Sequence, residues 1–97
     1  MLVGTVYTIA DPALWRNALA EAEQSGELEP PGLTLLVSVH SATGDYAFDL
    51  WRAESVDVVR EQLDPMTVGL STNAYFPVDE SHPATLLPPD PQASVGG

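Results

Sequence analysis

Residues 33–52, LTLLVSVHSATGDYAFDLWR, contain two runs of alternating side chains on either side of a short polar segment. A period of two is typical of β-strands, because successive side chains of a strand point to opposite faces of the sheet. Residues 41–44 suit a four-residue hairpin loop, since the glycine at position 44 can adopt the positive φ that such loops often require. The stretch therefore predicts a β-hairpin. Its predicted cross-strand pairs are Val39 with Tyr46, Val37 with Phe48 and Leu35 with Leu50.

The two faces of this predicted hairpin differ in composition. One face is almost wholly apolar, whereas the other mixes polar with large apolar side chains. The mixed face carries Thr34, Leu36, Ser38, His40, Asp45, Ala47, Asp49 and Trp51. Leaving Leu36 or Trp51 in water would forgo roughly 2 kcal/mol of burial for each side chain. We therefore expect the mixed face to form a dimer interface, with scattered apolar surface residues as the alternative.

Length and charge limit the classes of partner. A chain of 97 residues forms one domain near the small end of sizes that bury a core unaided, so sharing a sheet face with a partner would stabilise it. Fourteen carboxylates stand against three arginines and no lysine. Such a field repels phosphate backbones and anionic lipids, which argues against nucleic acid and membrane surfaces as partners. The acidic residues are dispersed, as in a solubilising surface.

Several kinds of chemistry have no sequence signal. The chain has no cysteine, so it offers no disulfide, thiol nucleophile or cysteine-ligated metal. It also contains no phosphate-binding glycine loop, no metal-ligand cluster and no nucleophile elbow. We therefore expect neither a metal nor a cofactor. The lack of a long apolar stretch and of a basic start predicts a cytoplasmic protein.

The segments around the hairpin predict two helices and two further strands. Residues 2–9 form the first predicted strand, and Asp11-Pro12 begins a helix that Gly26 ends. A second helix is capped by Ser55 and ended by Asp64-Pro65, and residues 73–78 form the last strand, near an edge because of Pro77. The predicted domain covers residues 1–80. Residues 81–97 form a proline-rich tail that we expect to be partly disordered.

The order strand, helix, strand, strand, helix, strand predicts a ferredoxin-like α+β fold, in which both helices cover one face of a four-stranded antiparallel sheet. From residue 2 to about residue 80 the chain resembles the dimeric α/β-barrel superfamily, and particularly its small uncharacterised members. The resemblance depends on the element order, on Leu63-Asp64-Pro65 at a helix end and on residues 73–78 before an acidic turn. It implies a homodimer through the open sheet face. None of these marks is a catalytic motif.

The superfamily includes cofactor-independent monooxygenases, haem-degrading enzymes, muconolactone-type isomerases and ligand-sensing domains of regulators. Haem binding would need a histidine that can ligate iron in a deep pocket. His40 lies at the predicted hairpin tip and His82 in the tail, so haem is not expected.

Two residues are candidate catalytic groups. His40 is the residue type whose pKa needs least tuning for general-base catalysis, although the predicted register places it opposite Asp45, where a surface pair would only stabilise the turn. Asp49 could be a base of raised pKa if it is desolvated. Alternatively, Asp49 bonds to a partner chain or stays hydrated at the rim of the interface.

Four residues are candidate ligand-binding groups, because they bring hydroxyl, amide or aromatic groups to strands: Tyr7, Trp51, Asn73 and Tyr75. Each is equally suited to an ordinary role in the core or at the interface. The sequence thus leaves three functions open. They are a homodimer that binds a small organic ligand or protein partner, a cofactor-free oxygenase or isomerase acting on an aromatic or lactone substrate, and a structural or regulatory subunit that meets a basic protein.

Overall fold

A computed structural model describes residues 1–26 and 28–80. Its elements are β1 (Leu2–Ile9), α1 (Pro12–Ser25), β2 (Thr34–His40), β3 (Tyr46–Arg52), α2 (Val56–Met66) and β4 (Ser71–Val78). The strands form one sheet in the order β2-β3-β1-β4, and every neighbouring pair is antiparallel. This confirms the predicted ferredoxin-like α+β topology. The predicted tail, residues 81–97, lies outside the described residues.

Side-chain caps explain where the helices begin. The Asp11 carboxylate accepts hydrogen bonds from the backbone N–H groups of Ala13 and Leu14, at 3.0 and 3.2 Å. The Ser55 hydroxyl accepts one from the N–H of Val58 at 3.2 Å. Each cap satisfies amide groups that the first helical turn leaves unpaired, a contribution of about 1 kcal/mol. Both predicted helix starts are confirmed, as is the end of α1 at Gly26, which has a φ of 77°.

The predicted end of α2 at Asp64-Pro65 is wrong, because the helix includes Pro65 and continues to Met66. Thr67 closes the last turn. Its backbone N–H donates to the carbonyl oxygens of Leu63 and Asp64, at 3.1 and 3.2 Å, and its hydroxyl also donates to that of Leu63, at 3.0 Å. These bonds satisfy the carbonyl groups of Leu63 and Asp64, so the last turn stays closed after the proline.

The hairpin forms where it was predicted, but its register differs. The loop is flanked by Ser41 and Tyr46, rather than by His40 and Asp45 as predicted: the Ser41 backbone N–H donates to the Tyr46 carbonyl at 2.9 Å and the Ser41 hydroxyl accepts from the Tyr46 N–H at 3.0 Å. The loop is therefore one residue later than predicted. The observed pairs are Val39 with Phe48, Val37 with Leu50 and Leu35 with Trp51, with an irregularity between Leu35 and Val37.

The helices cover the face of the sheet that we expected to be a dimer interface. Trp51 is only 2% exposed and belongs to the core between sheet and helices. The placement of Trp51 in an interface is therefore wrong. Ala47 on the same strand is also buried, as are the two β1 residues on this face that lie opposite Trp51 and Ala47, Val3 and Tyr7.

The face left open is the apolar one. Residues directly opposite each other in an antiparallel ladder share a face. The cross-strand pairs therefore place apolar side chains from all four strands on this face. The side chains of this open face include Val6, Val37, Val39, Tyr46, Phe48, Leu50 and Phe76. Several of them are large and substantially exposed, including Val39 at 53% and Tyr46 at 54%. Below, these seven residues are called the open face.

Candidate functional site

A cavity of about 320 Å³ lies between the sheet and the two helices. Its sheet wall includes Tyr7, Asp49 and Trp51, and α2 contributes Leu63. Helix α1 explains why space remains there. Trp15 fills the region near its N-terminus, whereas two of the positions that the next turns present to the interior carry only the small side chains of Ala18 and Ala22, beside Leu19 and Glu23. An alanine side chain cannot fill the distance between two packed layers, so the interior stays open beneath α1.

A carboxylate and a phenol meet on the sheet wall. The Tyr7 hydroxyl donates a hydrogen bond of 2.8 Å to Oδ2 of Asp49. Burial raises the pKa of the Asp49 carboxyl, while hydrogen bonds from Ser38 and Tyr7 and the nearby His40 partly oppose that rise. Burial and the adjacent carboxylate both raise the pKa of the Tyr7 phenol. Tyr7 therefore keeps its proton and remains a donor to Asp49.

An imidazole and an indole meet at the β2 edge of the cavity. Trp15 Nε1 donates a hydrogen bond of 3.1 Å to Nε2 of His40. The indole N–H can only donate, so Nε2 of His40 is the acceptor in this contact. The predicted pairing of His40 with Asp45 is wrong, because the shifted register places Ala47 opposite His40.

The structure brings His40, Asp49, Tyr7 and Trp51 together in the lining of one cavity. From the sequence, His40 and Asp49 were candidate catalytic groups and Tyr7 and Trp51 candidate ligand-binding groups, and they were not predicted to lie in one site. Asp49 and Trp51 were expected at an interface, and His40 at an exposed tip. The cross-strand pairs explain why these side chains meet. Tyr7 and His40 lie on either side of Ala47, and Asp49 occupies the next row of the same face, opposite Thr5.

Asn73 and Tyr75 do not line this cavity. They connect β4 to the end of α2. Tyr75 donates a hydrogen bond of 2.5 Å to Asp64 Oδ1, and Asn73 Nδ2 donates to the Tyr75 hydroxyl at 2.9 Å and to the Thr67 hydroxyl at 2.8 Å. The guanidinium of Arg60 lies 5.4 Å from the centre of the Tyr75 ring. These contacts give both side chains a role in joining two elements.

Sequence reasoning did not assign Trp15 to the site. Its indole both lines the cavity and holds His40, and its ring centre lies 4.9 Å from that of Tyr7. The helical stripe of apolar residues in α1 gave only a core position for it. A signal was nevertheless present: a buried tryptophan needs an acceptor for its N–H, and His40 is the one histidine among residues 1–80.

Trp51 carries a second indole N–H in the same region. It is buried without a hydrogen-bond partner among the described residues, although it lies near enough to the Tyr7 hydroxyl to lower slightly the pKa that burial and Asp49 raise. An unpaired buried donor is costly. Trp51 thus adds a weakly satisfied donor to the polar part of the wall.

The arrangement can bind and can accept a proton. Most of the wall is apolar, and its polar groups converge on one side, which is typical of small-molecule sites. A partly desolvated carboxyl can accept a hydrogen bond or a proton from a ligand. Within residues 1–26 and 28–80 no group of three or more acidic or histidine side chains is placed to hold a metal ion. None of the helices in that part of the chain has the length and apolar character needed to span a membrane.

Comparison of the chain with protein-family models, with curated proteins and with solved structures found no match. Statements about function therefore depend on the geometry of the cavity and on the open face.

Proposed function

We propose that the chain binds a small, mostly apolar organic ligand in the cavity between its sheet and its helices, as one protomer of a homodimer. The cavity itself is the observation that carries the proposal. Its volume of about 320 Å³ falls at the lower end of the range found for small-molecule sites. A concave space of this size with mostly apolar walls and a few convergent polar groups is the usual form of a small-molecule site.

The homodimer is supported by the open face. Soluble monomers rarely expose a contiguous apolar surface of this kind, and a second copy of the chain offers the same surface in return, as a two-fold interface requires. None of the seven residues of the open face is charged. Arg52 lies beside them, at the end of β3, and pairs with Glu80 at 3.4 Å. A chain with a net charge of −11 can bring two copies together most easily on a surface free of carboxylates.

Ligand binding can be tested through the two tryptophans. The chain has only Trp15 and Trp51, and both line the cavity. A ¹H–¹⁵N spectrum of the labelled protein should show two indole N–H resonances. Titration with neutral aromatic alcohols should shift both. A binding event elsewhere would move backbone resonances of other residues and leave the indoles in place.

Two variants of α1 make the test specific. Ala22→Phe places a large side chain in the cavity and should abolish the ligand-induced indole shifts. Ala20→Phe makes the same change on an exposed position of the same helix and should leave the shifts unchanged. Equal responses of the two variants would contradict the proposal.

A second candidate function is cofactor-free catalysis, as a monooxygenase or isomerase acting on an aromatic or lactone substrate. The observation that favours it is the Asp49 carboxyl, whose pKa is raised by burial and which lies within an apolar cavity. Such a group can remove a proton from carbon next to a carbonyl. Deuterium uptake from D₂O into a bound ketone or lactone, lost in Asp49→Asn, would support this function. Binding without exchange or oxygen consumption would leave ligand binding alone.

A further inference from the structure

The charge in the cavity is unbalanced. Its lining includes the carboxylates of Asp49 and Glu23, from β3 and α1, and no lysine or arginine. The chain has no lysine, and its three arginines have other contacts. Arg52 pairs with Glu80 and Arg60 with Asp57, at 3.4 and 2.6 Å. Arg16 reaches towards the hairpin loop near Gly44.

The one histidine of the lining is held by an indole and makes no hydrogen bond to the carboxylate. His40 accepts a hydrogen bond from Trp15 at Nε2. The Tyr7 hydroxyl donates to Asp49, but this neutral group leaves the charge of the carboxylate in place. A buried or half-buried carboxylate is strongly stabilised when a cation is present beside it.

Three aromatic rings line the cavity together with this carboxylate. Tyr7, Trp15 and Trp51 all line the cavity, and the rings of Tyr7 and Trp15 lie 4.9 Å apart with an angle of 54° between their planes. The faces of tyrosine and tryptophan rings attract cations, and tilted aromatic side chains around a carboxylate are suited to organic ammonium groups. Leu19 and Leu63 provide apolar walls farther along the cavity.

We propose that the ligand of this cavity is an organic cation, an ammonium group on an apolar skeleton, with its charge beside Asp49 and its apolar part between the helices. The inference rests on the proposed ligand-binding function and specifies the chemical class. It also excludes anionic ligands such as carboxylates and phosphates, because Asp49 and Glu23 would repel them. The neighbouring Tyr7 and Trp15 rings would contact the ammonium group or the first carbon atoms attached to it.

A matched series of ligands tests the charge preference. 4-Phenylbutylamine, 4-phenylbutan-1-ol and 4-phenylbutanoate share one apolar skeleton and carry a positive, a zero and a negative charge at neutral pH. Their dissociation constants can be measured from the indole shifts of Trp15 and Trp51. We expect the amine to bind about tenfold more tightly than the alcohol, since a charge-assisted hydrogen bond replaces a neutral one. The carboxylate should bind more weakly than the alcohol.

Charge-neutralising variants locate the origin of the preference. Asp49→Asn should lower the affinity for the amine to that of the alcohol, while the affinity for the alcohol changes by less than about twofold. Glu23→Gln, on the exposed side of the cavity, should reduce the amine affinity by a smaller factor and does not disturb the core. Glu61→Gln removes an exposed carboxylate of α2 outside the cavity lining and should have no effect.

The outcomes separate this inference from the function on which it rests. If the alcohol binds as tightly as the amine, the cation class is wrong and ligand binding stands. If Asp49→Asn keeps the full preference for the amine, the placement of the charge beside Asp49 is wrong and ligand binding again stands. If none of the three compounds shifts either indole resonance, both proposals fail. A preference for the amine that persists in Ala22→Phe would place the binding outside the cavity and overturn the inference as well.

Discussion

At the scale of single residues, Asp49 is the group whose properties depend most on the fold. Burial raises the pKa of its carboxyl, with the hydrogen bonds from Ser38 and Tyr7 and the nearby His40 opposing the rise. A carboxyl whose pKa is higher in the folded chain than in the unfolded chain binds more protons when folded. Its contribution to stability is therefore fully present below the unfolded pKa and is lost as pH rises through the folded pKa.

Asp49→Asn should remove this pH dependence. The difference in free energy of unfolding between the variant and the parent chain should grow in favour of the variant as pH rises above about 4, and then level off once Asp49 is ionised in the folded chain. At neutral pH we expect the variant to be the more stable of the two, by an amount limited by the partial exposure of the carboxyl. Urea unfolding at several pH values measures it. A constant difference across the series would contradict the expected desolvation of Asp49.

Tyr7→Phe should affect the same carboxyl in the opposite direction. The Tyr7 hydroxyl donates to Asp49 at 2.8 Å and stabilises its ionised form. Without this donor the pKa of Asp49 should rise further, since burial then acts with less opposition. The ¹³C resonance of the Asp49 carboxyl, followed through a pH titration, reports the change. A fall in the Asp49 pKa would show that the phenol does not act as a donor to the carboxylate.

At the scale of elements, β4 and α2 are joined by polar side chains in addition to apolar packing. Tyr75, Asn73 and Thr67 form a chain of hydrogen bonds that ends at Asp64. This network accounts for two residues, Asn73 and Tyr75, that the sequence offered as ligand-binding groups. Because Asn73 and Tyr75 lie outside the cavity lining, a change in this network should affect the stability of the chain and not its affinity for a ligand.

Tyr75→Phe should destabilise the chain without affecting the cavity. Loss of the hydrogen bond to Asp64, together with the acceptor for Asn73, should lower the free energy of unfolding by about 1 kcal/mol. The affinity for aromatic alcohols should stay the same. Tyr46→Phe is the matched control, because that tyrosine lies 54% exposed on the open face and should not change the stability of the protomer. A loss of ligand affinity in Tyr75→Phe alone would return Tyr75 to the candidate site.

The elements themselves could be predicted from local signals, because those signals act within a few residues. Asp11 and Ser55 cap the helices where the sequence placed them, and β1 has the predicted bounds. The hairpin register could not be predicted from alternation alone. A shift of two residues keeps every side chain on its face, so only the hydrogen bonds of Ser41 with Tyr46 determine it. The irregularity between Leu35 and Val37 then places Leu35 opposite Trp51, on the face that the helices cover, and not on the open face with Val37 and Val39.

The site was predictable as a set of residue types but not as an arrangement. Tyr7, His40, Asp49 and Trp51 were all candidates, yet their convergence depends on which sheet face the helices cover. Both faces carry large apolar residues, so composition could not identify the covered one. The indole of Trp51 fits beneath the helices, whereas Val39 and Phe48 remain on the other side. Long-range packing makes this choice, and no local pattern in the hairpin reports it.

At the scale of the whole molecule, the protomer separates two surfaces with different chemistry. The helical side contains the cavity with its carboxylates, and the opposite side of the sheet is the open face. Dimerisation through the open face would leave the cavity of each protomer accessible. Ligand binding and association should therefore be independent to a first approximation, since the sheet lies between them and the two surfaces share no side chains.

Val39→Lys should prevent dimerisation and leave ligand binding intact. Val39 is 53% exposed in the protomer and lies on the edge strand β2, opposite Phe48 of the open face, so a lysine there would bring an uncompensated charge into the interface. Val68→Lys is the matched control, because Val68 is 79% exposed in the connection after α2, away from the sheet. Sedimentation should show a monomer for Val39→Lys and a dimer for Val68→Lys and the parent chain.

A parent chain that sediments as a monomer, or a Val39→Lys dimer of undiminished stability, would remove the open face as the site of association. Indole shifts that persist in the Val39→Lys monomer would show that each protomer holds a complete cavity.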